Sequence, residues 1–141
     1  MSLKLSAKAQ EEVEFLEHVL TICSHLSSMV EQFASAKTKG PMDMYQQQIT
    51  RALTQLRQNA MIKNLGFVAD AAGILGVAAA RGSQVSRTRV LREGAASLKQ
   101  LVERTMKATI DADHREKEQK EREHAAEVAA AARAKPTEGA D

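Results

Sequence analysis

Two adjacent hydrophobic stripes run along the first helical segment, which the pattern predicts to span Ala7 to Lys37. Spacings of three and four residues place both stripes on one side of a helix and leave a polar stripe opposite. Because a two-stranded coiled coil needs only one narrow seam, a face this wide predicts contacts with at least two partner helices. We expect Lys39-Gly40-Pro41 to end this helix, since glycine suits the C-terminal turn and proline cannot continue it. The stripes are Phe15, Val19, Ile22, Leu26, Met29 and Phe33, and Val13, Leu16, Leu20, Cys23 and Val30.

The second helical segment changes character along its length. Asp43 is predicted to be its N-cap, with Gln46 at capping-box spacing, and its first half carries one narrow apolar stripe. From Ala60 to Ala79 apolar residues point in every direction, so this half is predicted to be the most buried element. Asn64-Leu65-Gly66 is a candidate break, because an unbroken helix from Asp43 to Ala80 would be about 57 Å long. The pattern leaves open one kinked helix or two separate helices.

A third amphipathic segment follows a break at Arg81-Gly82-Ser83, and either Ser83 or Ser86 is suited to cap it. Its apolar face continues to about residue 112, after which the sequence becomes charged and then rich in alanine. We interpret residues 113–135 as a solvated helical extension without a core of its own, and 136–141 as a short polar end. The apolar face consists of Leu91, Ala95, Leu98, Val102, Met106 and Ile110.

These segments together predict an all-α fold. Short connections favour an antiparallel up-down bundle of three helices, or of four if the second segment breaks. The expected organisation is a bundle over residues 1–112 and a charged helical tail with a disordered end over 113–141. Gly73 and Gly76 each cost a helix about 1 kcal/mol, which close helix packing would offset. We favour a homodimer, because a three-helix bundle has few neighbours to cover an unbroken second helix, whereas a helix split at Asn64–Gly66 would be covered within one chain.

The composition is that of an ordinary globular chain, with 43% hydrophobic and 27% charged residues in 141. One cysteine excludes an internal disulfide framework and a multi-cysteine zinc site, and a net charge of +2 argues against nucleic acid. The N-terminal sequence lacks the apolar core of a signal peptide. The apolar run Leu65–Ala80 is shorter than the about 20 residues of a spanning helix. We therefore favour a bundle helix over a membrane span, and expect a cytoplasmic protein.

No residue pattern points to catalysis or to metal binding. His18 and His25 lie on the polar stripe of the first segment, whereas Cys23 lies on its apolar side, so the three do not converge. The chain has no glycine-rich phosphate loop and no hydrolase or zinc-protease motif. We predict a protein that is not an enzyme and that has no catalytic residue, metal, cofactor or small-molecule substrate.

Five charged residues are predicted to contact a partner. Asp70 stands alone in an apolar run, and it either faces a groove, pairs with a nearby basic residue such as Arg57, or fixes the choice of partner. The basic patch Arg81–Arg92 surrounds the start of the third helix, where positive charge opposes the helix dipole. An anionic partner would explain this patch, and a solvated face paired with Glu93 and Glu103 is the simpler interpretation. The candidate contact residues are Asp70, Arg81, Arg87, Arg89 and Arg92.

One part of the chain resembles a known family. Ile62-Lys63-Asn64, Gly66-Phe67 and the small residues from Ala71 to Gly82 resemble the central hairpin of histidine-containing phosphotransfer (HPt) domains. The resemblance covers roughly residues 45 to 110 and implies a helical bundle that docks receiver domains and relays phosphoryl groups. With Ile62-Lys63 placed on the family's Leu-Lys step, Ala60 takes the position of the phosphate-accepting histidine. The resemblance therefore implies docking without phosphoryl transfer.

We predict a regulatory interaction or scaffold protein that binds a protein partner through a helical face. One alternative is an HPt-like signalling domain that docks response-regulator receivers. Another is an adaptor that binds an anionic surface or nucleic acid through the basic patch Arg81–Arg92. The lack of aromatic residues there argues against single-stranded nucleic acid, which needs stacking platforms.

Overall fold

The computed structural model describes residues 4–134, which form four helices and no strand. The helices are α1 (Ala7–Ser35), α2 (Lys39–Ile62), α3 (Gly66–Ala79) and α4 (Gln84–Ala134). The predicted all-α class is confirmed. The second segment is two separate helices, and Asn64 in their connection has φ of 58°, a left-handed conformation that asparagine tolerates well.

The four helices form a ring in which each one contacts two neighbours. Across the described chain, α1 packs against α2 and α4, α3 packs against the same two helices, and the backbones of the two diagonal pairs do not come close to each other. Lys63 Nζ, just after α2, lies 2.8 Å from Glu11 Oε1 at the start of α1. Arg92 near the start of α4 pairs with Glu31 near the end of α1. These contacts make adjacent helices antiparallel, in the predicted up-down arrangement.

The core lies along the inward faces of all four helices. The two partners predicted for the wide apolar face of α1 are α2 and α4, and residues from both predicted stripes are buried there. The largest fully buried side chains are Phe33, Leu16, Leu26, Ile49, Leu53, Leu56, Leu98, Val19, Val30, Val68, Val102 and Cys23.

The prediction that Lys39-Gly40-Pro41 ends α1 and that Asp43 caps the next helix is wrong. These three residues form the first turn of α2, with Thr38 as the N-cap, and Asp43 lies one turn inside the helix. Proline is tolerated there because the first N–H groups of a helix have no partner within the helix. The loop after α1 is therefore only Ala36 to Thr38.

Side chains at the start of α4 satisfy backbone groups at two helix ends. Gln84 Nε2 donates to the carbonyl oxygens of Phe33 and Ala36, each at 2.8 Å, and so ties α4 to the C-terminus of α1. Of the two predicted capping residues, Ser83 fills the role, because its Oγ accepts from the Ser86 N–H at 3.1 Å.

The prediction that the apolar run Ala60–Ala79 is buried all round is wrong for the last two residues of α2, which are exposed, and for the outer side of α3. Leu75 is only 6% exposed, whereas the adjacent Ile74 is 70% exposed and Val77 is 56% exposed. In a ring of four helices the outward side of each helix has no neighbour. The all-round apolar sequence of α3 therefore leaves large apolar side chains on the surface.

The close helix approach expected at Gly73 and Gly76 occurs at Gly94 instead. A Cβ atom on Gly76 would meet nothing within 4 Å, and one on Gly73 would meet only the flexible side chain of Arg57 at 3.6 Å. A Cβ on Gly94 would overlap Leu75 Cδ2 and lie 3.1 Å from Leu75 Cγ. The α3–α4 contact thus needs a residue without a side chain at position 94.

The helix α4 continues past the bundle as the predicted extension, and its 51 residues make it about 76 Å long. Residues 118–133 are exposed throughout. Asp113, the first residue of the predicted extension, is buried, and its Oδ2 accepts from the Ser6 N–H at 3.1 Å. Packing against α1 therefore includes the first residue of this segment. The predicted polar end, 136–141, lies outside the described residues.

Asp113 makes stability depend on pH. Hydrogen bonding from Ser6 holds the pKa of Asp113 below its ordinary 3.8, with help from Lys117 and against the opposing effect of burial. A lowered folded-state pKa gives stability that is complete above the unfolded-state pKa and is lost as pH falls through the folded-state value. We expect Asp113→Asn to be less stable than the parent near neutral pH, with the difference shrinking below pH about 4.

Urea unfolding from pH about 2 to 7 measures this dependence. Asp111→Asn is the matched control, because Asp111 is an exposed carboxylate on the same helix. A difference between Asp113→Asn and the parent that is constant over the whole range would contradict the linkage.

Candidate interaction surface

Four exposed residues form one line along the outer side of α3 and its C-terminal end. Asp70, Ile74 and Val77 are spaced by four and three residues, which places them within a sector of about 60° on α3, and Arg81 follows four residues later, just past the end of the helix. The buried residues Val68, Ala72, Leu75 and Ala79 lie on the opposite side. We call these four exposed residues the α3 face.

A shallow groove borders the α3 face on the side of α2. It has a volume of about 420 Å³, and Thr50, Thr54 and Arg57 form its α2 wall. Gly73 and Gly76 line the α3 side. A Cβ on Gly76 would meet nothing within 4 Å, so the backbone of α3 is accessible beside Val77, whereas the Arg57 side chain lies over Gly73. A partner can therefore approach α3 more closely here than along a helix covered by large side chains.

Asp70 is accommodated by exposure rather than by pairing. It lies on the outer side of α3 and forms no ion pair with any residue in the range 4–134. Asp70 therefore does not pair with Arg57 or another basic neighbour, which was one of the predicted alternatives. Its carboxylate is free to contact a partner at the N-terminal end of the α3 face.

The predicted basic patch Arg81–Arg92 does not form a single surface. Arg87 Nη1 donates to Gln46 Oε1 at 2.7 Å, so this guanidinium points towards α2. Arg92 points towards α1, where its Nε and Nη2 donate to the two carboxylate oxygens of Glu31 at 2.6 and 2.7 Å. Arg81 and Arg89 are exposed, and only Arg81 belongs to the α3 face.

The ion pair of Arg92 with Glu31 favours the charged form of both groups. The hydrogen bond from Arg92 lowers the pKa of Glu31, and the same bond raises the pKa of Arg92. The predicted pairing of these arginines with Glu93 and Glu103 is not seen within the described range. Arg92 therefore joins two helices of the bundle.

The histidines and the cysteine do not form a site. His18 and His25 are exposed on α1, and Cys23 is buried on the other side, where burial raises the pKa of its thiol. Among the residues described, no three His, Cys, Asp or Glu side chains come together as metal ligands. No helix in this part of the chain is long and apolar enough to cross a membrane.

Sequence reasoning identified the two charged ends of the α3 face and missed its apolar centre. Asp70 and Arg81 were candidate contact residues, whereas Ile74 and Val77 were assigned to the core. A signal was present, because the helical line that joins the two charged residues passes through both apolar ones. Charged residues at both ends of a line indicate that the residues between them face solvent.

Comparisons with known proteins give no family assignment. No protein-family model matches the chain, and searches of curated proteins and of solved structures found no significant match. The resemblance to HPt domains stays a prediction.

Proposed function

We propose that this chain is a non-enzymatic interaction or scaffold module, regulatory in role, that binds a protein partner through the α3 face. The observation that carries the proposal is the exposure of Ile74 and Val77, 70% and 56%, side by side on a helix whose other side is core. Apolar side chains scattered singly over a surface are ordinary. Two large ones in line on the same helix, beside an open groove, are typical of an interaction surface.

The chemistry of the α3 face defines the kind of partner. Burial of Ile74 and Val77 under a partner contributes a free energy of about 25 cal/mol for each Å² of apolar surface removed from water. Asp70 and Arg81 lie at opposite ends and supply a polar rim that orients the partner. A partner helix with an apolar centre, a basic residue opposite Asp70 and an acidic residue opposite Arg81 fits this arrangement.

The proposal includes a cytoplasmic location. Cys23, the only cysteine, is a free and buried thiol, which suits a reducing compartment.

An HPt-like docking module is the second proposal, and the antiparallel four-helix arrangement supports it. Ala60, at the position of the phosphate-accepting histidine in the resemblance, is fully buried. Such a module would bind receiver domains without accepting a phosphoryl group. Binding to an isolated receiver domain, measured by calorimetry, tests this alternative, and no binding at micromolar concentration refutes it.

Differential capture from a native lysate tests the main proposal. The immobilised proteins are the parent chain, Val77→Asp and Val128→Asp. Val128 is the matched control, because it is also a helical valine with almost the same exposure, 55%, but it lies in the extension of α4. We expect proteins that the parent and Val128→Asp retain and that Val77→Asp loses at least tenfold by quantitative mass spectrometry.

The three proteins must have the same helicity and melting temperature, so that a lost partner does not reflect unfolding. If no captured protein depends on Val77, the α3 face is not the binding surface and the proposal is wrong.

A further inference from the structure

We propose that the partner of the α3 face is the same face of a second copy of this chain, in an antiparallel twofold pair. This inference rests on the proposed function and names its partner. Exposed apolar residues alone do not identify which partner covers them, and here the charged residues do, through their order with the apolar residues along α3.

The α3 face is complementary to itself when one copy is reversed. In an antiparallel pair centred between positions 75 and 76, Ile74 lies opposite Val77 of the partner subunit, and Asp70 lies opposite Arg81 of the partner subunit. Asp70 and Arg81 are each five and a half residues from that centre, which is about 8 Å at the rise of a helix, and Arg81 lies two residues past the end of α3. Both apolar contacts and both ion pairs therefore form in one register, as a twofold interface requires.

Small residues beside the α3 face allow the two helices to approach. Gly73 and Ala78 lie on the two sides of the α3 face beside Ile74 and Val77, and both are small. The neighbour at Gly73 is the flexible side chain of Arg57, 3.6 Å from where a Cβ would lie, and a second helix on this flank displaces it. The helix stability lost at Gly73 is then offset in the dimer.

The charges favour a second copy over an unrelated partner. An unrelated partner needs only a surface that complements Asp70 and Arg81. It sets no condition on the signs of these two charges or on their distances from the centre of the α3 face. Opposite signs at equal distances from the centre are what a self-pairing surface requires. With only α3 and Arg81 just beyond it in the contact, the interface is smaller than in a standard complex, and we expect a dissociation constant in the range of about 10–100 μM.

Charge exchange at the two ends tests this register. Sedimentation equilibrium at about 5–300 μM and low salt is measured for the parent, Asp70→Arg and Arg81→Asp. Each single variant places like charges opposite each other twice in its own dimer, and we expect association about tenfold weaker than in the parent. An equimolar mixture of the two variants has two attractive pairs in its heterodimer, so association should recover. The double variant Asp70→Arg/Arg81→Asp should recover it as well.

Other outcomes overturn the inference. A parent chain that stays monomeric to 300 μM refutes self-pairing, and an association that the single variants leave unchanged places the dimer on another face. Weakening without recovery in the mixture and the double variant refutes the antiparallel register. None of these results decides the proposed function, because the Val77-dependent capture is a separate measurement. A chain that is monomeric yet captures Val77-dependent partners refutes only the inference drawn here.

Discussion

Replacing Leu75 with alanine is expected to lower the free energy of unfolding by about 2–5 kcal/mol, whereas Ile74→Ala should change it by less than about 0.5 kcal/mol. The two residues are adjacent in α3, but Leu75 is buried against α4 and Ile74 faces solvent. Removing Leu75 loses the transfer free energy of its side chain and leaves a cavity between two helices. Removing Ile74 takes surface away from water and leaves no cavity.

Urea unfolding at a chain concentration below 1 μM, where the proposed dimer is dissociated, measures both changes. Ile74→Ala acts as the control for Leu75→Ala, because it shortens a neighbouring branched aliphatic side chain in the same helix. A loss above about 2 kcal/mol for Ile74→Ala would mean that the outer side of α3 is covered within the single chain.

Helical periodicity was sufficient to predict the elements whose exposed and buried sides differ in polarity. The double stripe of α1 predicted two neighbouring helices, and α2 and α4 occupy those places. The extension of α4 was predicted to be helical, and within it Lys120 pairs with Glu116, four residues earlier, at 3.3 Å. In α1 local pattern and tertiary contacts agree, and in the exposed part of the extension local pattern alone favours the helix.

Local pattern could not predict the burial of α3. When apolar and small residues surround a helix on all sides, the sequence does not say which side is covered, because that depends on how many helices pack around it. Here the ring arrangement gives α3 two neighbours and leaves Ile74 and Val77 outside. The most apolar stretch of the chain therefore supplies both core and surface.

The boundary between α1 and α2 illustrates a second limit. Glycine and proline punctuate helices at either end, and Lys39-Gly40-Pro41 was assigned to the end of α1 although it begins α2. Proline has no backbone N–H, so it fits the first turn of a helix, where the N–H groups have no partner within the helix. Whether this tripeptide ends one helix or begins the next is known only once the hydrogen bonds of the turn are known. The same limit applies to the candidate surface. The sequence shows the charges of Arg87 and Arg92 but not their hydrogen-bond partners on other helices.

Gly94→Val is expected to lower the free energy of unfolding by about 1–3 kcal/mol through overpacking, although valine is a better helix former than glycine. A side chain at this position meets Leu75, whose Cγ would lie 3.1 Å from the new Cβ and whose Cδ2 would overlap it. Because Leu75 is itself buried, it cannot turn into solvent to make room. Either α3 and α4 move apart or Leu75 adopts a strained conformation.

Two further variants separate this clash from a general effect of replacing glycine in a helix. Gly76→Ala places its Cβ in open space, so its gain in helix propensity should raise stability by about 0.5–1 kcal/mol. In a Leu75→Ala background the clashing atoms are absent, and Gly94→Val should then be at least about 1 kcal/mol less destabilising than in the parent. Equal effects of Gly94→Val in both backgrounds would show that the clash is with atoms other than Leu75. A loss of stability in Gly76→Ala would instead place a close neighbour on the groove side of α3, where the present packing has none.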